Sequence, residues 1–344
     1  MNPNHCQREQ MKKNYFCLII SLILCSSVFA LDSNYLSFKI TPRFGVVNGA
    51  INEFVFDEVC TNTDNKVSQL DWDIRNIPVF GLKAEFDILR YININVDGSF
   101  GIPKKSGYMQ DYDWLNSFGG IDPDIPVSWS YDEPTELTCY SKHTNELKRY
   151  TDFLISVGGN IFLPYNLRIT PFITYQYEFI YLAGQKGFGR YKQADKTFYL
   201  KDYSDNNKVI SYQQEINAMF LGFSILFDNI PRTTLYADFK VSPKMTFLNA
   251  LDFHYTRNIV FWDKIDNLWQ LKGTIEAQYK FDNHYRAGII TSIQYIPIGK
   301  GDTSKKYLNS DGTIKTEKWY QIGKNSGGTS RFIWSLGINY SFSL

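Results

Sequence analysis

Between Leu36 and Leu344 the sequence keeps returning to a period of two, and that period constrains the fold more than any other feature of the chain. The longest clean run is Tyr236 to Tyr255. Ala237, Phe239, Val241, Met245, Phe247, Leu251 and Phe253 hold odd positions, against Asp238, Lys240, Ser242, Lys244, Thr246, Asp252 and His254 on even ones. Alternate residues of a β-strand face the same way, so each such run reads as a strand with one apolar and one polar face. Phe38, Ile40, Phe44 and Val46 oppose Lys39, Thr41 and Arg43. Leu70, Trp72, Phe80, Leu82 and Phe86 oppose Asp71, Asp73, Arg75, Lys83 and Glu85, and the last run sets Phe332, Trp334, Leu336, Ile338 and Tyr340 against Ser335, Gly337 and Asn339.

Alternation fits a soluble sandwich as well as a barrel, and the connections separate the two. Leu89-Arg90, Pro164-Tyr165-Asn166, residues 229–232 and Asp282-Asn283 are tight turns. Between them lie long polar stretches at 57–66, 104–147, 186–208, 255–267 and 299–328. Short turns at one end and long loops at the other mark an outer-membrane barrel. The expected fold is all-β: a ten-stranded antiparallel transmembrane β-barrel with long extracellular loops. Its strands exceed the roughly 10 residues that cross a bilayer, so the barrel should stand well clear of it. A ring of this size is narrow, and its inward charges should fill the lumen rather than leave a porin channel.

The N-terminus agrees with export. Lys12 and Lys13 precede an apolar run from Phe16 to Leu24, and Ser26-Ser27-Val28-Phe29-Ala30 offers a small-residue cleavage site. Residues 1–30 therefore read as a signal peptide, with Met11 as an alternative start, and residues 31–344 as one outer-membrane barrel domain. Cleavage removes Arg8, Lys12 and Lys13 against Glu9, leaving 33 basic and 34 acidic residues. That balance gives no reason to expect a nucleic-acid partner. Cys60 and Cys139 alone survive cleavage, and an oxidising compartment allows a disulfide between them or two free thiols. No metal-ligand spacing or phosphate-cradling glycine loop is present, so no cofactor is expected.

Two short constellations carry chemistry. Asp252 and His254 are two residues apart on the polar face of the run ending at Tyr255. Same-face spacing puts a carboxylate beside an imidazole, the pairing that fixes a tautomer and stabilises an imidazolium. Asp111 and Asp113 repeat the spacing, and continuing the parity of Asn93, Asn95 and Asp97 turns both inward. Two close carboxylates repel, so at least one should hold its proton unusually well. Each pair also has a plain reading, as a polar rim or a solvated acidic loop. His143 falls in the second long loop and His284 at a turn.

Asp111-Tyr112-Asp113-Trp114 and Asp252-Phe253-His254, on a ten-strand pattern behind a leader, resemble the omptin family of outer-membrane aspartyl endopeptidases. Residues Lys66 to Trp72 are similar to the family's second-strand signature, and Gly49 to Phe56 to the end of its first strand. The resemblance implies a peptidase at the extracellular mouth of the barrel, in the cell outer membrane, acting on polypeptides at the cell surface. It implies that Asp252 orients His254, that His254 activates a water held against Asp111, and that Asp113 completes the acidic pair. It places Glu53 at an acidic substrate-pocket position, with Ala250 where a second pocket carboxylate is usual, so a preference for basic residues stays open. On the outer wall Tyr175 matches, but Tyr177 and Phe179 stand where charges are usual and Glu215 replaces a basic residue. Contact with outer-membrane lipid is expected, and dependence on lipopolysaccharide is not. The alternative reading is a non-catalytic barrel of the same fold, an adhesin or structural surface protein.

Overall fold

The computed structural model describes residues 36–56, 66–114, 137–192, 197–309, 311–315 and 318–343. The expected leader and Cys60 lie outside them. One antiparallel sheet contains β1 (Leu36–Phe56), β2 (Lys66–Ile88), β3 (Ile92–Gly101), β4 (Lys104–Asp113), β5 (Cys139–Gly159), β6 (Ile161–Leu163), β7 (Leu167–Lys192), β8 (Phe198–Ile230), β9 (Thr233–His254), β10 (Ile259–Lys280), β11 (Tyr285–Tyr307) and β12 (Tyr320–Ser343). β3 and β4 run in succession along one stave between β2 and β5, and β6 continues β5 along β7. The 12 strands thus make ten staves, and β12 pairs back onto β1 from Lys39↔Ser343 to Val55↔Gly327. The expected ten-stranded barrel is the fold.

At one end the staves are joined by tight turns. Leu89 and Arg90 (φ 52° and 65°) and Tyr165 and Asn166 (φ 61° and 51°) are left-handed pairs. Such turns match the right-handed twist of the strands they join. Outward side chains form an apolar belt that crosses every stave: Phe44, Leu82, Phe100, Val157, Ile173, Leu221, Phe239, Ile275, Ile289 and Ile338 are all exposed. In water so much apolar surface would drive aggregation, whereas in lipid it is the stable solution.

At the other end the strands run on past the belt. Much of what reads as loop in the sequence is strand: β4, the first half of β5, the ends of β7 and β11 and the starts of β8, β10 and β12. Beyond the belt the outer face no longer meets lipid while the inner face stays packed, so the hydropathy period fades although the backbone pairing continues. His143 accordingly lies within β5 and not in a loop.

Bulges re-aim side chains along the staves. Between Val47↔Ile77 and Gly49↔Ile74, β2 carries one extra residue at the left-handed Asn76 (φ 51°). This flips the parity of β2. Phe80 and Leu82 face outward, while Leu70 and Trp72 turn into the lumen, at 3% and 0% exposure. The single face expected for all four is thereby corrected. Along the third stave, the break between Gly101 and Lys104 and a bulge at Gly107 (φ 76°) each shift parity, and the two cancel. Asp111 and Asp113 face inward as expected, by a less direct route.

Within the belt the lumen is filled by cross-linked polar side chains. Arg331 pairs with Glu178, both fully buried. Gln294 donates to Glu178 at 2.9 Å, Gln176 to Asp152 at 2.6 Å, and Lys272 pairs with Asp152 at 2.9 Å. Taking one partner from such a pair strands a buried charge, at about 3–5 kcal/mol, whereas replacing both by apolar residues is close to neutral. Urea midpoints in lipid vesicles should therefore fall steeply for Arg331→Met and for Glu178→Leu, and recover most of the loss in the double variant.

Candidate active site

Above the belt two walls of the barrel close on each other. Trp72 on β2 stacks on Tyr212 on β8, ring centroids 5.7 Å apart and planes 13° from parallel. These strands are not neighbours in the sheet, so the stack spans the lumen. Ile51, Ile74, Met109, Leu182, Leu248 and Ile265 pack around it. The result is an apolar floor on which the polar rim stands.

Asp252 and His254 end β9, and Tyr212 is the cross-strand partner of Asp252. His254 Nε2 hydrogen-bonds Asp252 Oδ2 directly. A carboxylate accepts, so Nε2 carries the hydrogen and Nδ1 is left as the basic nitrogen. A 3-10 turn, Tyr255–Arg257, follows at once, with Asn258 left-handed at its end (φ 50°). Phe261, opposite Asp252 on β10, meets the imidazole edge-on at 5.4 Å. The ring is thus held by a bond on one side and an aromatic on another.

Asp111 and Asp113 end β4. Asp111 lies opposite Leu70 and Ser141, and Met109, two residues earlier, lies opposite Trp72. The acidic pair therefore stands above the Trp72 side of the floor, and Asp252 above the Tyr212 side. On the outer face Tyr112 stacks on Trp114 at 6.2 Å and packs on Tyr140 at 5.1 Å, which stiffens the strand end. Burial holds the Asp111 carboxyl well above its usual range. The charge of Asp113 adds to this and that of Asp252 across the gap adds further, while Arg257 opposes. One Asp111 oxygen is buried without a hydrogen-bond partner.

Glu53 faces the same space from β1, 2% exposed, with Oε2 buried and unpartnered. Its carboxyl is pushed well above the usual range by burial first, then by Asp252, Asp263 and Asp111. Ala250 is buried on β9, and its cross-strand partner on β10 is Asp263. Asp263 Oδ1 accepts a hydrogen bond from Thr303 Oγ1 at 2.6 Å. Burial lifts its carboxyl to about 7, with Thr303 opposing and Asp252 adding.

Sequence reasoning missed Asp263 and Arg257, because both fall in the stretch read as a loop. Arg257 lies in the 3-10 turn, and register shifts between Ile265 and Gln270 break the alternation that would otherwise have reached Asp263. His143 is structural: Nδ1 donates to the Lys186 carbonyl at 2.8 Å and Nε2 meets Ser141 Oγ at 3.0 Å. Cys139, half-buried opposite Asp113, has its thiol pushed up to about 11 by burial.

The model of the omptin family matches residues 34–342. The chain belongs to the omptin family. It is 24% identical over 341 residues to the plasminogen activator of Yersinia pestis, across 96% of this chain and 100% of that protein. It is 22% identical over 311 residues to Protease 7 of Escherichia coli O157:H7, across 87% and 88% of the two chains. Among solved structures it resembles the outer membrane protease OmpT from Escherichia coli, with a TM-score of 0.73 at 18% identity, covering 90% of this chain and 97% of that one. That likeness supports the barrel fold.

In this omptin the outer wall at Tyr175, Tyr177, Phe179 and Glu215 gains one cation from the next stave. The Arg149 guanidinium sits 5.1 Å from the centre of the Phe179 ring. Tyr175 donates to Asn217 at 2.7 Å.

The crowded carboxyls of this omptin also set a pH dependence. Unfolded, the Asp263 carboxyl ionises near 3.9, whereas folded it keeps its proton to about 7. Between those values the folded state binds more protons, so stability declines as pH rises through the window. Urea midpoints of the wild type should fall from pH 5 to pH 8, and Asp263→Asn should flatten that decline.

Proposed function

We propose that this omptin is an aspartic-type endopeptidase that hydrolyses polypeptides at the cell surface, with its site on the extracellular side of the outer membrane. The observation that carries the reading is the Asp252–His254 hydrogen bond facing Asp111 across an apolar aromatic floor. Water at neutral pH is a weak nucleophile, and an imidazole with its pKa near the working pH is an efficient base for it.

In the proposed reaction a water lies between His254 and Asp111. His254 Nδ1 takes one proton as the water oxygen bonds to the scissile carbonyl carbon. The carbonyl π-bond opens to an oxyanion. Asp252 stabilises the imidazolium that forms. Asp111, which holds its proton through burial and the neighbouring Asp113, hydrogen-bonds the reacting oxygen. Collapse of the tetrahedral adduct breaks the C–N bond, and the imidazolium returns its proton to the leaving nitrogen. The products are a carboxylate and an amine, and no acyl-enzyme forms. Glu53 faces the substrate from the neighbouring wall.

His254→Ala and Asp111→Asn should each lower kcat on a fluorogenic peptide by ~10³-fold while the refolded barrel keeps its β-sheet circular dichroism. Near-normal turnover by His254→Ala would eliminate the mechanism. The aromatic outer wall supports activity that is independent of lipopolysaccharide. Purified, lipopolysaccharide-free protein should cleave at a rate that added lipid leaves unchanged, and an enzyme inert until that lipid is supplied would contradict this.

A further inference from the structure

Arg257 ends the 3-10 turn that carries the chain away from His254, and the water-activating machinery does not use it. The turn is fastened on both sides. Tyr255 stacks on Phe253 at 6.1 Å, and its hydroxyl shares a 3.0 Å hydrogen bond with that of Ser211 on β8. On the other side the Asn258 carbonyl accepts from the Leu308 N–H at 2.7 Å. Ser211 is the cross-strand partner of Phe253, so Tyr255 folds back along the outer face and draws the turn over β8. Next round the ring come β7, β5 and β4, whose ends set Tyr191, Cys139 and Asp113 side by side as successive cross-strand partners. The Arg257 guanidinium comes within electrostatic reach of all three and of Asp111. It thus leads from the histidine wall of the opening to the acidic wall.

The acidic wall cannot adjust by moving. The Asp113 carbonyl accepts from both the N–H and the hydroxyl of Thr138, at 2.8 and 3.0 Å, and Asp111 is paired into β2 and β5. Asp111 has Asp113 beside it on β4 and Asp252 facing it from β9, next to the His254 imidazole. Glu53 on β1 and Asp263 on β10 line the same space. β2 offers the apolar Leu70, β5 offers Ser141 and Cys139, and β7 offers the Tyr191 hydroxyl, which meets that of Tyr203 at 2.8 Å. Against these acids Arg257 sets a permanent cation, since a guanidinium stays charged at any working pH.

We propose that Arg257 is a positioning residue of the peptidase: reaching over from the turn after His254, its guanidinium holds the Asp111–Asp113 pair in the charge state and orientation that the imidazole and the water require. The assignment deepens the peptidase reading and rests on it. A fixed cation near an acid makes its proton easier to release, and Arg257 opposes the hold that burial and Asp113 put on the Asp111 proton. An acid whose proton is neither lost nor locked at the working pH is the better partner for a reacting oxygen.

The test uses the refolded mature barrel as wild type, Arg257→Gln, Arg257→Lys and Arg257→Glu. Two quantities are followed against pH: turnover of a fluorogenic peptide, and the infrared carbonyl band of the protonated Asp111 carboxyl, identified by its loss in Asp111→Asn. In Arg257→Gln kcat should fall roughly tenfold, with KM held within about twofold. The alkaline limb of its turnover profile and the pH at which the infrared band disappears should both move up by about half a unit to one unit. Arg257→Glu should move them further, and Arg257→Lys should bring them back. A turn that served only the fold would lower turnover and leave both pH positions in place. A limb or a band that stays put in Arg257→Gln, or an Arg257→Lys that behaves like Arg257→Gln, therefore overturns the assignment. A wild type that cleaves no peptide, but whose infrared band still moves with Arg257, sinks the peptidase reading and leaves the coupling standing.

Discussion

The seam between β1 and β12 closes the sheet, and the rest of the molecule depends on that closure. A backbone N–H or C=O left unpaired in hydrocarbon costs several kcal/mol, so a β-sheet can cross a membrane only as a ring. Here the seam is paired from Lys39↔Ser343 to Val55↔Gly327. Gly45 and Gly337 face each other on it, and a Cβ on Gly45 would come within 2.6 Å of the Leu336 carbonyl oxygen. With the ring shut, one parity of every strand meets lipid and the other meets the lumen. The apolar belt outside and the Arg331–Glu178 network inside are two consequences of the same closure.

Above the belt that rigidity is put to a different use. Glu53, Asp111, Asp113, Asp252 and Asp263 crowd round one opening, with His254 and Arg257 as the basic groups among them. Burial first, and then repulsion between like charges so placed, holds protons above the usual carboxyl range at Glu53, Asp111 and Asp263. A flexible loop would relieve the strain by moving apart. Strand ends hydrogen-bonded on both sides cannot, so the sheet below stabilises an arrangement unfavourable in itself. That is the usual relation between a reactive site and its scaffold.

Strand character and barrel class were legible in the sequence because lipid enforces a period of two wherever a strand crosses it. Asp252 and His254 were legible for the same reason. β9 carries two extra residues between Val241 and Thr246, an even number that leaves parity intact. Leu70 and Trp72 were not legible, since the one extra residue at Asn76 reverses their facing. Asp263 was hidden where the outer face of β10 no longer meets lipid and side-chain polarity stops reporting the strand, and Arg257 because it ends the 3-10 turn between β9 and β10.

By itself, then, the sequence determined that the segments crossing the belt are strands, which parity they present to lipid there and which neighbours share a face where no bulge intervenes. Only the tertiary structure decided that Asp111 stands across the opening from Asp252, that Trp72 meets Tyr212 and that Asp263 stands opposite Ala250. Periodicity belongs to a single strand. Contact across a ring depends on register accumulated over every strand pair, where one bulge is enough to exchange lumen for lipid.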